Sequence, residues 1–575
     1  MLTRLLRTFT RPYLGTIIIV LSITVFQTWI NLSLPSLNAD LINQGVAQGD
    51  TEYVLQVGSQ MLGLSVVLVA VSVVAVYLAS KVAMSIARDL RSAIFDKVLR
   101  LSPYEMDLFG TPSLITRNTN DVQQVQMLLT VGLTMLASAP ITVVGGVIMA
   151  IHHNAKLSIL IAVAVPLMAG VIGIVMKKAV PEFRKVQKRI DRINGIFREQ
   201  ITGMRVIRAF TRDDFEKERF ATANMDLMTT QLGINRLFAF AMPGLILILN
   251  LASVGVVWFG GKLVDNNEMQ IGDLTAFISY LMQILGSVMM ATMMLILIPR
   301  AAASAERIKE VLDHTLIIHD PADPQPQGNQ GRVRFNDVTY YYPGAEEPVL
   351  RNLSFQLVPG QLTAVVGSTG SGKTTLVNLL MRFVDATSGT VYINDVDVKQ
   401  QLVDDVWGAV GLVPQRPYLF QGSVRETIQF GRDISDDDVW AALEIAQAAD
   451  FIRELPEGLD AHVAQGGTNF SGGQRQRLAI ARAIARKSSI YVFDDSFSAL
   501  DAATDARLRN ALLEHTREST VLLVAQRVSS VISAHRIIVL DEGHIVGMGT
   551  HHELLQTCAT YQEIVASQQT AEALS

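Results

Sequence analysis

A multi-domain chain is predicted: an all-α part of six membrane spans with long cytoplasmic helical extensions, then an α/β part built around a phosphate-binding loop. Three observations predict it. Long uncharged apolar runs crowd the first half of the chain. From Val333 onward, short β-branched runs alternate with helical patterns. Between one such strand and the next helix stands Gly367–Thr374, which reads Gly-Ser-Thr-Gly-Ser-Gly-Lys-Thr.

Composition bounds the rest. A chain of 575 residues is too long for one domain, and the predicted division is 1–319, a linker at 320–332, and 333–575. The net charge of −5 and the pI near 6.1 argue against a nucleic-acid partner. Mean hydropathy is +0.31 with only 18% charged residues, which points to the lipid bilayer. Cys558 is the only cysteine, so an intrachain disulfide or cysteine metal site is excluded. Arg4, Arg7 and Arg11 precede an apolar stretch with no small-residue cleavage site, so that stretch reads as a first span, not a signal peptide.

Six runs qualify as spans: Tyr13–Leu34, Met61–Leu78, Met127–Ile151, Leu157–Met176, Leu237–Gly260 and Leu274–Ile298. Lys81, Arg88, Arg91, Lys97 and Arg100 follow the second, and Lys177 to Arg192 follow the fourth, whereas the connections after spans one, three and five hold only Lys156 and Lys262. The basic side is cytoplasmic, so both chain ends are expected in the cytoplasm of a multi-pass protein, in a bacterial cell (inner) membrane. Met176 to Leu237, folded as two antiparallel helical legs, would project on the order of 40 Å from the membrane. Such legs serve either as a solvated hairpin or, the preferred reading, as a lever onto the following domain, with tips near Met106–Ile115 and Arg208–Asp214.

No charge sits in the middle of any span, which disfavours proton-coupled or ion-selective transport. The polar residues there are mild: Gln27, Asn31, Asn250 and Gln283. Met282, Met289, Met290, Met293 and Met294 in the sixth span could line an adaptable cavity, though packing or lipid contact is the preferred reading. Asp320–Arg332, with three prolines among Pro321, Pro324 and Pro326 and two glycines, is the linker.

In the second half, the candidate nucleotide cradle is Gly367, Ser368, Thr369, Gly370, Ser371, Gly372, Lys373, Thr374 and Thr375. Its glycines let successive backbone N–H groups turn inward, Lys373 reaches the terminal phosphates, and Thr374 offers a hydroxyl to magnesium. Tyr342 lies where an aromatic ring can stack on a base, although Tyr340–Tyr342 could equally be strand residues. Ile490–Phe493 ends in Asp494 and Asp495; Asp494 suits a magnesium shell, and the next position suits a base or water-orienting group. Ser471, Gly472, Gly473 and Gln474 open a helix whose N-terminus makes a second anion site. One domain already has its phosphate loop, so that second site would complete the pocket of another domain.

The order Tyr342, Gly367–Thr374, Gln415, Ser471–Gln474, Asp494, Asp501 resembles the nucleotide-binding domain of ATP-binding cassette transporters, and the whole chain resembles an exporter-type half-transporter. The resemblance implies ATP and Mg2+ as ligands. It implies adenine stacking by Tyr342, phosphate binding by the loop, and metal contacts from Thr374, Gln415 and Asp494. Ser471 to Gln474 would be presented in trans to a partner's ATP, and Asp501 would lie in a loop crossing between domains.

Three departures accompany the resemblance. The family usually has Glu where this chain has Asp495; the loss of a methylene retracts the carboxylate by about 1.5 Å, and an error near 1 Å can cost about 100-fold in rate. The family has a histidine where this chain has Gln526, and glutamine carries no charge and relays no proton. Ala464-Gln465-Gly466 replaces a family Gly-Glu-Arg. The expectation is therefore the degenerate-site subunit of a heterodimeric, multidrug-type exporter for small apolar or amphipathic substrates, with catalytic positions Asp494, Asp495 and Gln526. Its alternatives are a homodimer with two slow sites, an ATP-gated channel or regulatory subunit, a membrane-anchored soluble-type ATPase, and a siderophore-type importer on the same fold.

Overall fold

Most of the apolar runs fold into helices that continue past the run, because amphipathic sequence flanks them, and Pro140, Pro166, Pro181 and Pro243 are carried inside those helices. A computed structural model describes residues 2–574 apart from 295, 296, 327 and 329. Its contacts divide the chain into two units, Met1–Leu99 with Phe109–His314, and Arg100–Leu108 with Thr315–Ser575.

In the first unit, six helices among the described residues are long and apolar enough to span: Leu2–Val46, Thr51–Leu99, Thr111–His153, Ser158–Thr202, Asp213–Asp265 and Ile271–Ala291. Four contain the expected runs whole, and Ser158–Thr202 contains all but Leu157 of the fourth. The sixth expectation, Leu274–Ile298, crosses residues 295 and 296, which lie outside the described residues; the helix itself runs Ile271–Met294. Asp213–Asp265 has 53 residues, about 80 Å at the α-helical rise, against a hydrocarbon core of about 30 Å. It pairs with Ser158–Thr202 as a hairpin closed by the short helix Met204–Ala209. The two legs are tied by Arg219 to Glu199 at 2.7 Å and by Gln200 Nε2 donating to Glu216 O at 3.0 Å.

Tyr280, Phe277, Ile284 and Leu285 on the sixth helix are fully buried at the centre of this unit. The helix ends hold a polar chain the sequence did not announce. His153 Nδ1 meets Asp273 Oδ1 at 3.1 Å, His153 Nε2 meets Ser36 Oγ at 3.1 Å, and Ser36 Oγ meets the Tyr280 hydroxyl at 2.7 Å. Of the methionines, Met289 packs against the core while Met282 and Met290 are exposed; the side chains of Met293 and Met294 lie outside the described residues. Below the spans, Asp121 is fully buried and takes hydrogen bonds from Ser304 Oγ (3.0 Å) and Arg307 Nε (2.8 Å).

Of the two expected lever tips, Met106–Ile115 straddles the division, with Met106–Leu108 in the second unit and Phe109–Ile115 in the first, and Arg208–Asp214 lies in the first. The segment Arg100–Leu108 as a whole belongs to the second unit. Glu105 explains that placement: it is fully buried, with Oε2 accepting from Ser102 N (2.8 Å) and Oε1 from Ile317 N (3.1 Å). The second unit takes up the chain again from Thr315 onward. Its lead-in is hydrogen-bonded along the unit: His319 O accepts from Arg382, Asp320 Oδ1 from Val403 N, and Gln325 N donates to Gln400 O.

The strands of this unit are β1 Val333–Tyr340, β2 Leu350–Leu357, β3 Leu362–Gly367, β4 Ser388–Ile393, β5 Val396–Asp397, β6 Val410–Val413, β7 Gly422–Ser423, β8 His462–Val463, β9 Ile490–Asp494, β10 Thr520–Val524, β11 Arg536–Asp541 and β12 His544–Gly549. They form a sheet ordered β2-β1-β4-β5, a six-stranded sheet ordered β12-β11-β3-β10-β9-β6, and the pair β7-β8. In the large sheet β6, β9, β10, β3 and β11 are mutually parallel, and β12 closes one edge antiparallel. Strands buried on both faces explain the near-continuous apolar runs of β3, β9 and β10.

Candidate nucleotide site

Parallel neighbours deliver their C-terminal ends to one edge of a sheet, where α/β folds bind ligands. Here β3 ends in the phosphate loop, β10 runs into Gln526, β9 ends at Asp494, and β6 leads to Gln415. Residues scattered over more than a hundred positions thus meet because β3, β10, β9 and β6 are adjacent.

The loop needs its glycines. Gly372 has φ +99°, and a Cβ there would stand 2.4 Å from Leu350 Cδ2 and 3.1 Å from Val349 O. At Gly367 a Cβ would fall 2.1 Å from Leu540 O, so the constraint there is close backbone approach. Lys373 folds back over the loop and donates to Gly367 O (2.9 Å) and Ser368 O (2.7 Å). Burial pulls its ammonium below the ordinary lysine range, and the charges of Asp495 and Asp494 pull it partly back. Thr374 is exposed in the first turn of the helix Lys373–Leu380. Thr375 is buried, with its hydroxyl 3.1 Å from that of Tyr342, which is itself partly exposed and edge-on to Tyr340.

Asp494 is buried, and its carboxyl is pushed up to about 6, first by burial and then by the charge of Asp495, with Lys373 opposing. Asp495 is pinned by its N–H to Val524 O (2.8 Å) and has a left-handed backbone, φ +48°. One of its oxygens, Oδ2, accepts from two amides: Gln526 Nε2 at 2.9 Å and Gln415 Nε2 at 3.1 Å. Asp495 is thus the hub of this edge.

Ser471–Gln474 stands apart. Ser471 caps the helix Gly472–Ala485 in a reciprocal box: its Oγ accepts from Gln474 N (3.2 Å) and its N–H donates to Gln474 Oε1 (2.9 Å). Gly473 lies under Ala499 O, where a Cβ would come to 3.2 Å. Among the described residues no hydrogen bond joins Ser471, Gly472, Gly473 or Gln474 to the phosphate loop. Asp501 caps the helix Ala502–His515 through Thr504 N at 2.9 Å, and that backbone N–H holds its carboxyl below the usual range. One contact had no motif to find it by. The side chain of Gln568, from the C-terminal helix, donates to Gln526 O and accepts from Val528 N, both at 2.7 Å.

The donor set fits a magnesium polyphosphate. A loop with no room for a Cβ at Gly367 or Gly372, a partly buried ammonium whose hydrogen bonds among the described residues go to the loop's own oxygens, and a buried carboxyl held largely neutral at low pH all gain from an incoming polyanion and cation.

Residues 17–288 match the family model of the ABC transporter transmembrane region, and residues 350–498 match that of the ABC transporter ATP-binding part, described as "ABC transporter". The chain is 44% identical to an uncharacterized ABC transporter ATP-binding protein of Mycobacterium tuberculosis, covering 99% of this chain and 98% of that one. It is 32% identical to the ATP-dependent lipid A-core flippase of Thiobacillus denitrificans, over 93% of each chain. Its fold is similar to that of a bacterial Atm1-family ABC exporter with ATP bound, at a TM-score of 0.81 and 23% identity, covering 97% and 98% of the two chains.

Proposed function

The chain belongs to the ABC transporter family as an exporter-type half-transporter, an ATP-hydrolysing translocase, and from that premise we propose that it is the slow-site subunit of a heterodimer. It would move apolar or amphipathic, drug- or lipid-like substrates out of the cytoplasm. The name of the flippase relative supports the lipid-like end of that range. The single observation that carries the slow-site reading is the occupancy of Asp495 Oδ2 by two amide donors, with glutamine in place of an imidazole.

In this reading the backbone of Gly367–Gly372 and the Lys373 ammonium bind the phosphates, and Tyr342 stacks on the base. Thr374, Gln415 and Asp494 would hold magnesium, which when bound neutralises phosphate charge and orients the transferring group. Asp495 would take a proton from the attacking water. To do so with Oδ2 it must first shed Gln415 or Gln526, and its short side chain leaves it withdrawn from the reacting atoms. Gln526 can donate to a phosphate oxygen through Nε2 but cannot carry a proton away. ATP is therefore bound firmly and cleaved slowly. Ser471–Gln474, capped and intact, would serve the partner's ATP. The exposure of Phe210 (71%) and Phe215 (59%) at the long hairpin's tip supports a second polypeptide covering it.

The test is restoration. Asp495→Glu with Gln526→His, in a complex whose partner site is disabled, should raise ATP turnover by about 10²-fold. Turnover within twofold of the parent would contradict the slow-site assignment.

A further inference from the structure

We infer that Gln568, on the C-terminal helix, is a positioning residue for the reaction at this chain's own site: its amide sets the backbone from which Gln526 Nε2 leaves Asp495 Oδ2 to donate to a phosphate oxygen. The inference rests on the reading of Asp495 and Gln526 given above.

The segment after β10 is a short loop, fastened at both ends by ordinary contacts. Ala525 N donates to Val365 O at 3.1 Å, and Arg509 Nη1 donates to Ser529 O at 2.9 Å. Between these anchors the loop turns, and Gln526 and Val528 direct a carbonyl and an N–H toward the C-terminal helix. Gln568 answers both with one side chain: Nε2 donates to Gln526 O and Oε1 accepts from Val528 N, each at 2.7 Å. The bracket spans Arg527 and fixes the peptide groups on either side of it. A primary amide carries a donor and an acceptor on one carbon, which an ionised carboxylate does not.

The platform behind Gln568 is packed into the core. Its helix, Ala559–Leu574, presents Tyr561, Val565 and Gln568 at helical spacing on one face. Tyr561 is fully buried, with its hydroxyl 2.7 Å from His551 Nδ1, and Val565 is buried in the same apolar cluster as Val528 and Val531. The helix face thus packs under the loop, and Gln568 supplies its polar contact. Gln526 Nε2 sits 2.9 Å from Asp495 Oδ2, a distance that depends on where the Gln526 backbone is held. Loss of the bracket frees that backbone while leaving the phosphate loop untouched, because Lys373 and the loop glycines draw on β3 and β11 instead.

The consequence is a separation of rate from binding. In the full chain in lipid nanodiscs, with the ATP site of any co-purifying subunit disabled, Gln568→Ala should lower kcat at this site by about tenfold. KM for ATP, affinity for a fluorescent ATP analogue and the thermal midpoint should stay near parental values. Gln568→Glu keeps the acceptor for Val528 N but loses the donor to Gln526 O, and should fall between parent and alanine. The same series in the Asp495→Glu/Gln526→His background, where the Gln526 carbonyl persists as that of the new residue, should repeat the tenfold loss. A kcat within twofold of the parent in both backgrounds overturns the inference. So does a joint fall of kcat, affinity and thermal midpoint, which marks Gln568 as general packing. A parental chain that is fast from the outset contradicts the slow-site reading alone, since the ratio between parent and Gln568→Ala is still measured.

Discussion

At the scale of single residues, the site is governed by which atoms of two adjacent carboxylates are free. Asp494 is buried with its carboxyl raised to about 6. A raised folded-state value means that the native chain binds a proton the unfolded chain has released. This contribution to stability is complete below the usual carboxylate range and is lost as pH climbs through about 6. The nucleotide- and magnesium-free protein should therefore melt at falling temperature between about pH 4 and 6.5, and Asp494→Asn should flatten that slope. Scanning calorimetry across that window checks it; parallel slopes for parent and variant would contradict the assignment. Gly372→Ala is a second residue-scale prediction. With φ +99° and Leu350 Cδ2 at 2.4 Å from the added carbon, the loop must shift, and ATP binding should weaken by tenfold or more, on the order of 1.4 kcal/mol. Filter binding with labelled ATP reads it directly. Most of these residues were legible from the chain, because the phosphate loop and the strand ending in Asp494-Asp495 are contiguous strings with a mechanism attached. Gln568 was not: it lies 42 positions from Gln526 on a helix with no motif, and only the fold brings its amide to the loop.

At the scale of elements, the helices are longer than hydropathy suggests. The expected run Leu237–Gly260 is the apolar centre of Asp213–Asp265; the rest is polar on one face and carries no breaker, so a window tuned to lipid cannot see its end. The polar tie below the spans is a second feature invisible to periodicity. Asp121 is fully buried, with Ser304 and Arg307 as donors from the helix Leu297–Leu312, and Arg117 on its own segment donates to Arg307 O at 3.0 Å. Removing the carboxylate leaves Arg307 only Ser304 Oγ (3.3 Å) as an acceptor among the described residues, so Asp121→Ala should destabilise the unit by about 2 kcal/mol. The partial exposure of Arg307 should let its double variant Asp121→Ala/Arg307→Ala recover part of that loss. Thermal melts of the three proteins test it. A double variant no better than Asp121→Ala would contradict the account of a paired buried charge.

At the scale of the whole molecule, one chain carries two kinds of nucleotide contact on separate elements. The sheet edge gathers the loop, Gln415, Asp494, Asp495 and Gln526, while Ser471–Gln474 caps a helix with no hydrogen bond to that edge among the described residues. A half-transporter of this family works in a membrane as a dimer, and the proposal adds that the second subunit differs from the first. Full-length chain purified alone, with its mass measured in nanodiscs beside its magnesium-dependent ATPase rate, tests that claim most directly. The account predicts either no stable pair or a pair that retains ATP while turning over about 10²-fold more slowly than the complex with its partner. A stable pair of identical chains hydrolysing ATP as fast as the complex would contradict it.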